Sequence, residues 1–95
     1  MHSAGTKYIA YALWLKGHSL AMIAHWLGLG IKQVAGIIAR SHWPNRSAMT
    51  DAERQEALDD LHQIRLDKNG APIDQGVLNK FVWKIEPLEK VQSRG

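Results

Sequence analysis

The sequence predicts a small all-α domain of four to five helices, and three observations support this class. Apolar residues recur at the spacing of a helix face, helix-capping residues precede the apolar stretches, and glycine or proline follows them. The chain of 95 residues is long enough for one domain and too short for two ordinary ones. We expect a single domain over 1–86, followed by a flexible tail over 87–95.

The first predicted helix is apolar nearly all round. It begins after Ser3 or Thr6, either of which can act as an N-cap, and it stops at Gly17. A helix without a polar face is usually buried on more than one side. This helix therefore lies either at the centre of the fold or with one side against another subunit.

Residues 19–40 form the central motif of the predicted domain, two short helices around a glycine turn. Ser19 caps the second helix, Leu20–Leu27, and Gly28 ends it because the turn needs a left-handed residue. The third helix is predicted over Ile31–Arg40, with its branched apolar residues facing inward. A proline-containing loop then separates the motif from the rest of the chain.

An acidic fourth helix is predicted over 51–66. Thr50 and Glu53 form a capping box, in which the threonine bonds forward and the glutamate bonds back. Asn69 and Gly70 either stop this helix or turn a hairpin between the segments that flank them. The helix stop is the favoured interpretation.

The C-terminal element, over 74–86, is ambiguous between a helix and a strand. Asp74 can cap a helix with one apolar face, which is the favoured interpretation. The alternation of Phe81, Trp83 and Ile85 equally suits a strand.

Four tryptophans are many for a chain of this length, and we expect them in the core. They are Trp14, Trp26, Trp43 and Trp83. Trp26 lies off the apolar stripe of its helix, so it is expected to pack against the loop at Trp43 or against the fourth helix.

Positive charge is concentrated in the first half of the chain. Residues 1–50 contain five basic side chains and no Asp or Glu, whereas residues 51–95 contain seven basic and nine acidic ones. The halves therefore carry +5 and −2, which together give the net charge of +3. This asymmetry indicates one surface that faces a polyanion and a separate solvated surface.

Four residues of the central motif follow a known pattern: a small residue at Ala24, glycine at Gly28, and branched residues at Val34 and Ile37. At these positions the chain resembles the helix-turn-helix of bacterial and phage repressors, resolvases and sigma-factor domains. In that family the small residue lets the two helices cross closely, the glycine makes the turn, and the branched residues wedge between the helices. Residues 13–28 also resemble the opening of the GcrA-type cell-cycle regulators of alphaproteobacteria.

The resemblance implies a small DNA-binding transcriptional regulator of bacterial or phage origin, with the third helix as its recognition helix. The residues expected to contact double-stranded DNA are Lys16, Ser19, Ile31, Lys32, Gln33, Ala35, Gly36, Arg40 and Arg46. Near the start of the recognition helix only Lys32 and Gln33 can read bases by hydrogen bonding. We therefore expect modest sequence preference and a large share of phosphate contacts, with Lys7 among them.

A homodimer is expected, because one such module buries little surface on DNA. The apolar first helix and the stripe Leu78–Ile85 are the candidate dimer interfaces.

The apolar face of the third helix leaves a second hypothesis open. Ile31, Ala35, Gly36 and Ala39 offer few hydrogen-bonding groups, which suits a protein partner better than DNA. Under this hypothesis the chain is an adaptor or anti-activator that docks on a transcription factor. A phage packaging or excision accessory protein would carry the same module.

The sequence predicts neither an enzyme nor a cofactor-binding protein. It contains no cysteine, no nucleophile elbow and no phosphate-cradling glycine loop, and its five histidines lack metal-ligand spacing. His18 and His42 are instead expected to flank the DNA-facing side. No apolar stretch reaches the ~20 residues of a membrane span, and no signal-peptide cleavage site follows the first one, so we expect a soluble cytoplasmic protein without a membrane partner.

Overall fold

The computed structural model describes residues 3–85, and the part of the protein that it describes is all-helical, as predicted. The helices are α1 (Ala4–Lys16), α2 (Leu20–Leu27), α3 (Ile31–Ala39) and α4 (Asp51–Gln63), with a short 3-10 helix at Arg46–Ala48. The expected tail over 87–95 lies outside the described residues.

Helix α1 lies at the centre of the fold and packs against α2, α3 and α4. The residues that it buries are Tyr8, Ile9, Ala10, Ala12, Leu13 and Leu15. Branched and leucine side chains of the other helices complete the core around it, with Ile23, Val34 and Leu58 fully buried. Of the two interpretations of this apolar helix, central burial within one chain is the one that the structure has.

The predicted helix starts are confirmed. Ser3 and Ser19 each accept a backbone N–H at 3.1 Å, and Thr50 accepts that of Glu53 at 3.0 Å while the glutamate bonds back at 2.8 Å. These caps satisfy donors that a helix start would otherwise leave without partners. They fix where α1, α2 and α4 begin.

The turn between α2 and α3 depends on Gly28, which adopts the left-handed conformation with φ 68°. The N–H of Leu29 then reaches back to the carbonyl of Ala24 at 3.0 Å and closes the end of α2. The axes of α2 and α3 are bent by 111° across this break. The turn therefore directs α3 away from α2 and presents it at the surface.

No single helix within residues 3–85 is long and apolar enough to cross a membrane. The bent pair α2 and α3 meets that test by length and composition only.

The acidic helix ends at Gln63, so the prediction that it continues to 66 was wrong. The alternative hairpin is what forms: Leu66 pairs with Pro72, and the N–H of Ile73 donates to the carbonyl of Arg65 at 2.7 Å. The turn is stabilised by Asp67, whose carboxylate accepts two backbone N–H groups, at 2.8 and 2.9 Å. The side chain of this aspartate favours the turn over a further helical turn.

The predicted helix over 74–86 was also wrong within the residues described. Residues 74–80 form successive turns, and 81–85 are irregular. Gln75 and Gly76 adopt positive φ angles of 57° and 89°, which a right-handed helix does not contain, and Asp74 forms an ion pair with Arg65 at 3.1 Å. The alternating pattern is nevertheless expressed in burial, since Phe81, Trp83 and Ile85 pack against the core.

Close backbone packing joins the hairpin to α1. A Cβ atom on Gly5 would lie 2.6 Å from the carbonyl oxygen of Ile73, which no side chain can tolerate without movement. Glycine at this position lets the hairpin lie directly on the first turn of α1.

Three of the four tryptophans pack partly buried against the core, and the expectation for Trp26 was wrong. Its side chain is 56% exposed, and its ring contacts that of His18 with the centroids 5.8 Å apart. Trp26 lies off the apolar stripe of α2, on a side of that helix that faces solvent.

Candidate nucleic-acid interface

The outward face of α3 is open to solvent. Ile31 is 54% exposed, and Lys32, Gln33 and Arg40 are exposed as well, while α4 packs against α1. A long ligand such as a duplex can therefore reach the whole length of the helix.

A groove lies between α1 and α3, which we call the α1–α3 groove. It has a volume of about 540 Å³. Its lining residues are Lys7, Tyr11, Lys32, Gln33, Gly36, Ile37 and Arg40. Within residues 3–85 no carboxylate lines this groove, so its three cationic side chains give it a uniformly positive character.

The α3 side chains in the groove are partly committed to their own helix. The Gln33 side-chain oxygen accepts the N–H of Gly30 at 2.8 Å, and Arg40 Nη1 donates to the carbonyl of Gly36 at 2.9 Å. Bidentate recognition of adenine uses both the oxygen and the nitrogen of an amide. Gln33 thus offers chiefly its NH₂ group, which makes base readout weaker than the sequence indicates.

Two residues that the sequence assigns to DNA contact are bonded to backbone carbonyls of their own chain. Lys16 Nζ donates to the carbonyl of Val82 at 2.8 Å and also to that of Lys84. Arg46 Nη1 donates to the carbonyls of Trp14 and His18 at 2.6 and 2.8 Å, and its guanidinium lies 3.8 Å from the centroid of the Trp14 ring. Both cations donate to backbone oxygens of their own chain, and neither lines the α1–α3 groove.

Sequence reasoning missed a third inward cation, Arg54 of α4, which is fully buried. Its Nε donates to the carbonyl of Leu15 at 3.1 Å and its Nη2 to that of Lys16 at 3.3 Å. Asp51, one turn earlier, lies 3.5 Å from Nη1. The signal was present in the sequence, because Arg54 continues the apolar stripe that ends at Leu61.

The helix start of α2 contributes little to a phosphate site. Ser19 is exposed, but its hydroxyl is already used as the N-cap.

Partial burial, followed by the positive charges of Lys16 and Arg46, lowers the pKa of His18. The neutral form of His18 is favoured, which argues against the expected contact of a protonated His18 with phosphate.

The predicted contact residues therefore separate into two groups. Those on α3 lie together on one accessible surface, and Lys7 of α1 joins them at the groove. The members of this group are Ile31, Lys32, Gln33, Ala35, Gly36 and Arg40. Arg46 donates to carbonyls at the end of α1, and Lys16 joins that end to residues 82–84.

Comparisons with known protein families, curated proteins and solved structures give no match. The geometry of the α3 surface is therefore the basis for a functional proposal.

Proposed function

We propose that this protein is a small DNA-binding transcriptional regulator and that residues 19–40 are its helix-turn-helix. The angle of 111° between α2 and α3 supports this, since the two helices of such motifs meet at roughly 90–120° across a short turn that often contains glycine. Gly28 supplies that glycine in the conformation which the turn requires. Helix α3 then acts as the recognition helix in the major groove.

One observation carries the proposal: the accessible face of α3 borders a positive groove without a carboxylate among the described residues. Within residues 3–85 no salt bridge engages Lys7, Lys32 or Arg40. These three side chains are therefore available to replace the counterions that surround a phosphate backbone.

Recognition of bases is expected to be modest. Lys32 and the NH₂ group of Gln33 are the hydrogen-bond donors at the start of α3, and Ile31 and Ala35 can contact a thymine methyl group. Affinity then comes chiefly from phosphate contacts, which carry little sequence information.

The proposal is tested by replacing Lys32 and Gln33 together with alanine. We expect weaker binding to a duplex selected by the wild-type protein, measured by fluorescence anisotropy. The matched control replaces Lys68 and Gln63, which are exposed and lie outside the α1–α3 groove. Equal affinity of both variants for the duplex would contradict a recognition role for α3.

A second candidate function is an adaptor or anti-activator that docks on a transcription factor through this same face. It is favoured by exposed apolar side chains within the motif, namely Ile31 of α3 at 54% and, on the neighbouring α2, Met22 at 45% and Trp26 at 56%. This alternative predicts no binding to any duplex at low salt.

A homodimer is part of the proposal, but not through the interfaces expected from the sequence. Helix α1 and the side chains of Leu78 and Phe81 pack within their own chain. The exposed apolar residues of α2, Met22 and Trp26, are a more accessible dimer surface. Sedimentation of Trp26→Ser beside wild type tests this, and an unchanged dimer would exclude that surface.

A further inference from the structure

The α1–α3 groove has the size and charge of a ligand site, beyond what contact with a flat phosphate backbone needs. Its volume of about 540 Å³ lies within the range of ~300–1,000 Å³ that is usual for small-molecule pockets. One phosphate ion would fill a small part of it. The remaining space can hold the organic group to which a phosphate is attached.

The lining chemistry is that of an anion site with an apolar floor. Lys7, Lys32 and Arg40 supply the positive charge, Tyr11 adds a hydroxyl, and Ile37 supplies apolar surface. Two other cavities of the protein differ in this respect, because Glu53 lines one of about 290 Å³ and an aspartate lines one of about 100 Å³. Such carboxylates would repel a phosphate.

Gly36 positions one of these cations. A Cβ atom at Gly36 would lie 3.3 Å from Arg40 Nη1, so the glycine gives the guanidinium room to lie along α3. Arg40 Nη1 holds the Gly36 carbonyl at 2.9 Å, which keeps the guanidinium at the wall of the groove. The remaining N–H groups of a guanidinium suit bidentate contact with phosphate oxygens.

From these observations we propose that the α1–α3 groove binds a phosphate monoester or diester together with part of the attached organic group. The phosphate comes either from one strand of bound DNA or from a free phosphorylated metabolite. Only the first source rests on the proposed function.

The proposal is tested with ribose 5-phosphate as the probe and ribose as the matched neutral control. Amide chemical shifts of the full chain are followed by NMR during each titration. We expect saturable shifts at Lys7, Tyr11, Gly36 and Arg40 with the phosphate ester and none with ribose.

Variants separate a built site from general charge. Lys7→Gln and Arg40→Gln are each expected to weaken ribose 5-phosphate binding about tenfold, the effect of losing one charge-assisted hydrogen bond. Lys80→Gln, which removes an exposed lysine outside the groove, should leave it unchanged. Gly36→Ala should weaken it less than Arg40→Gln, because the guanidinium can shift. Circular dichroism of each variant verifies the fold.

A DNA duplex added to the loaded protein identifies the source of the phosphate. Displacement of ribose 5-phosphate supports the groove proposal with DNA as the ligand. Saturable binding that no duplex displaces supports a free metabolite as the ligand and counts against the proposed DNA function. Shifts that are absent from the groove, or that Lys7→Gln leaves intact, overturn the groove proposal whatever the duplex does.

Discussion

The basic side chains at the two ends of α1 lie in different environments. Near its start, Lys7 lies beside Lys32 and Arg40 at an accessible groove. At its end, Arg46 and Arg54 turn inward and donate to backbone carbonyls. Basic residues thus line an accessible groove at one end of α1 and hold backbone carbonyls at the other.

The difference follows from the polarity of the helix. The last carbonyls of α1 lack partners within the helix and carry partial negative charge, so they attract cations. Arg46 contacts the carbonyl of Trp14, and Arg54 contacts those of Leu15 and Lys16. Lys16 and Arg46 keep their charge but are held by backbone carbonyls outside the α1–α3 groove, so three of the five cations in the first half line it.

The largest expected effect is loss of the buried clamp by Arg54→Met. This variant leaves the Leu15 and Lys16 carbonyls without their donor, and we expect a loss of about 3 kcal/mol in the free energy of unfolding. Urea denaturation measures it. Arg40→Met is the matched control at an exposed position and should change that free energy by less than about 0.5 kcal/mol. Equal losses in the two variants would remove the distinction between the ends of α1.

A smaller loss is expected for Arg46→Met, about 2 kcal/mol of unfolding free energy, because this guanidinium is only partly buried. Burial and the charge of Arg54 lower the pKa of Arg46. Its guanidinium donates to two backbone carbonyls, and these contacts hold the side chain in place. DNA affinity of the folded variant should stay at the wild-type value. A lower duplex affinity with unchanged unfolding free energy would instead indicate that Arg46 contacts DNA, as the sequence predicts.

At the start of α1, Lys7→Gln tests the contribution of one accessible cation to duplex binding. We expect a loss of about fivefold in duplex affinity, close to 1 kcal/mol, with no change in unfolding free energy. Anisotropy titration and urea denaturation on the same sample give both quantities. Full wild-type affinity would show that the groove wall formed by α1 does not touch the phosphate backbone.

The smallest expected effect is on the pH dependence of stability, through His18 beyond the end of α1. Because burial and the neighbouring cations lower the pKa of His18, the unfolded chain binds a proton more readily than the folded protein. His18 therefore stabilises the fold above about pH 6.5, and that contribution is lost as pH falls through 6.5 towards the lowered folded value. Stability of His18→Gln, measured between pH 7 and pH 5, should fall less than that of wild type. Parallel profiles would refute the inward environment of His18.

The contribution of sequence differs between local and distant interactions. Ser19, Gly28 and the Thr50 capping box predict the helix bounds correctly, because each acts within a few residues of itself. The packing of the hairpin on α1 depends on Gly5, whose missing side chain lets the carbonyl of Ile73 approach closely, and no local pattern contains that contact.

The candidate site shows the same division. Lys32, Gln33 and Arg40 share an exposed stripe of α3 because helical periodicity dictates it. Lys16, in contrast, is bonded to the carbonyl of Val82, which is 66 residues away in the chain. Sequence reasoning identified the residues of α3 and could not tell which other cations the fold would take inward.

The dependence of duplex binding on salt tests the central claim most directly. With three accessible cations, a plot of the logarithm of the binding constant against the logarithm of the salt concentration should have a slope of about −3 per protein chain. Changing Lys7, Lys32 and Arg40 together to glutamine should bring this slope close to zero. Lys16→Gln should leave the slope at its wild-type value, because that ammonium is held by the carbonyls of Val82 and Lys84 and does not line the α1–α3 groove. A slope that the triple change does not alter, or no binding to any duplex at low salt, would contradict a DNA-binding surface on α3.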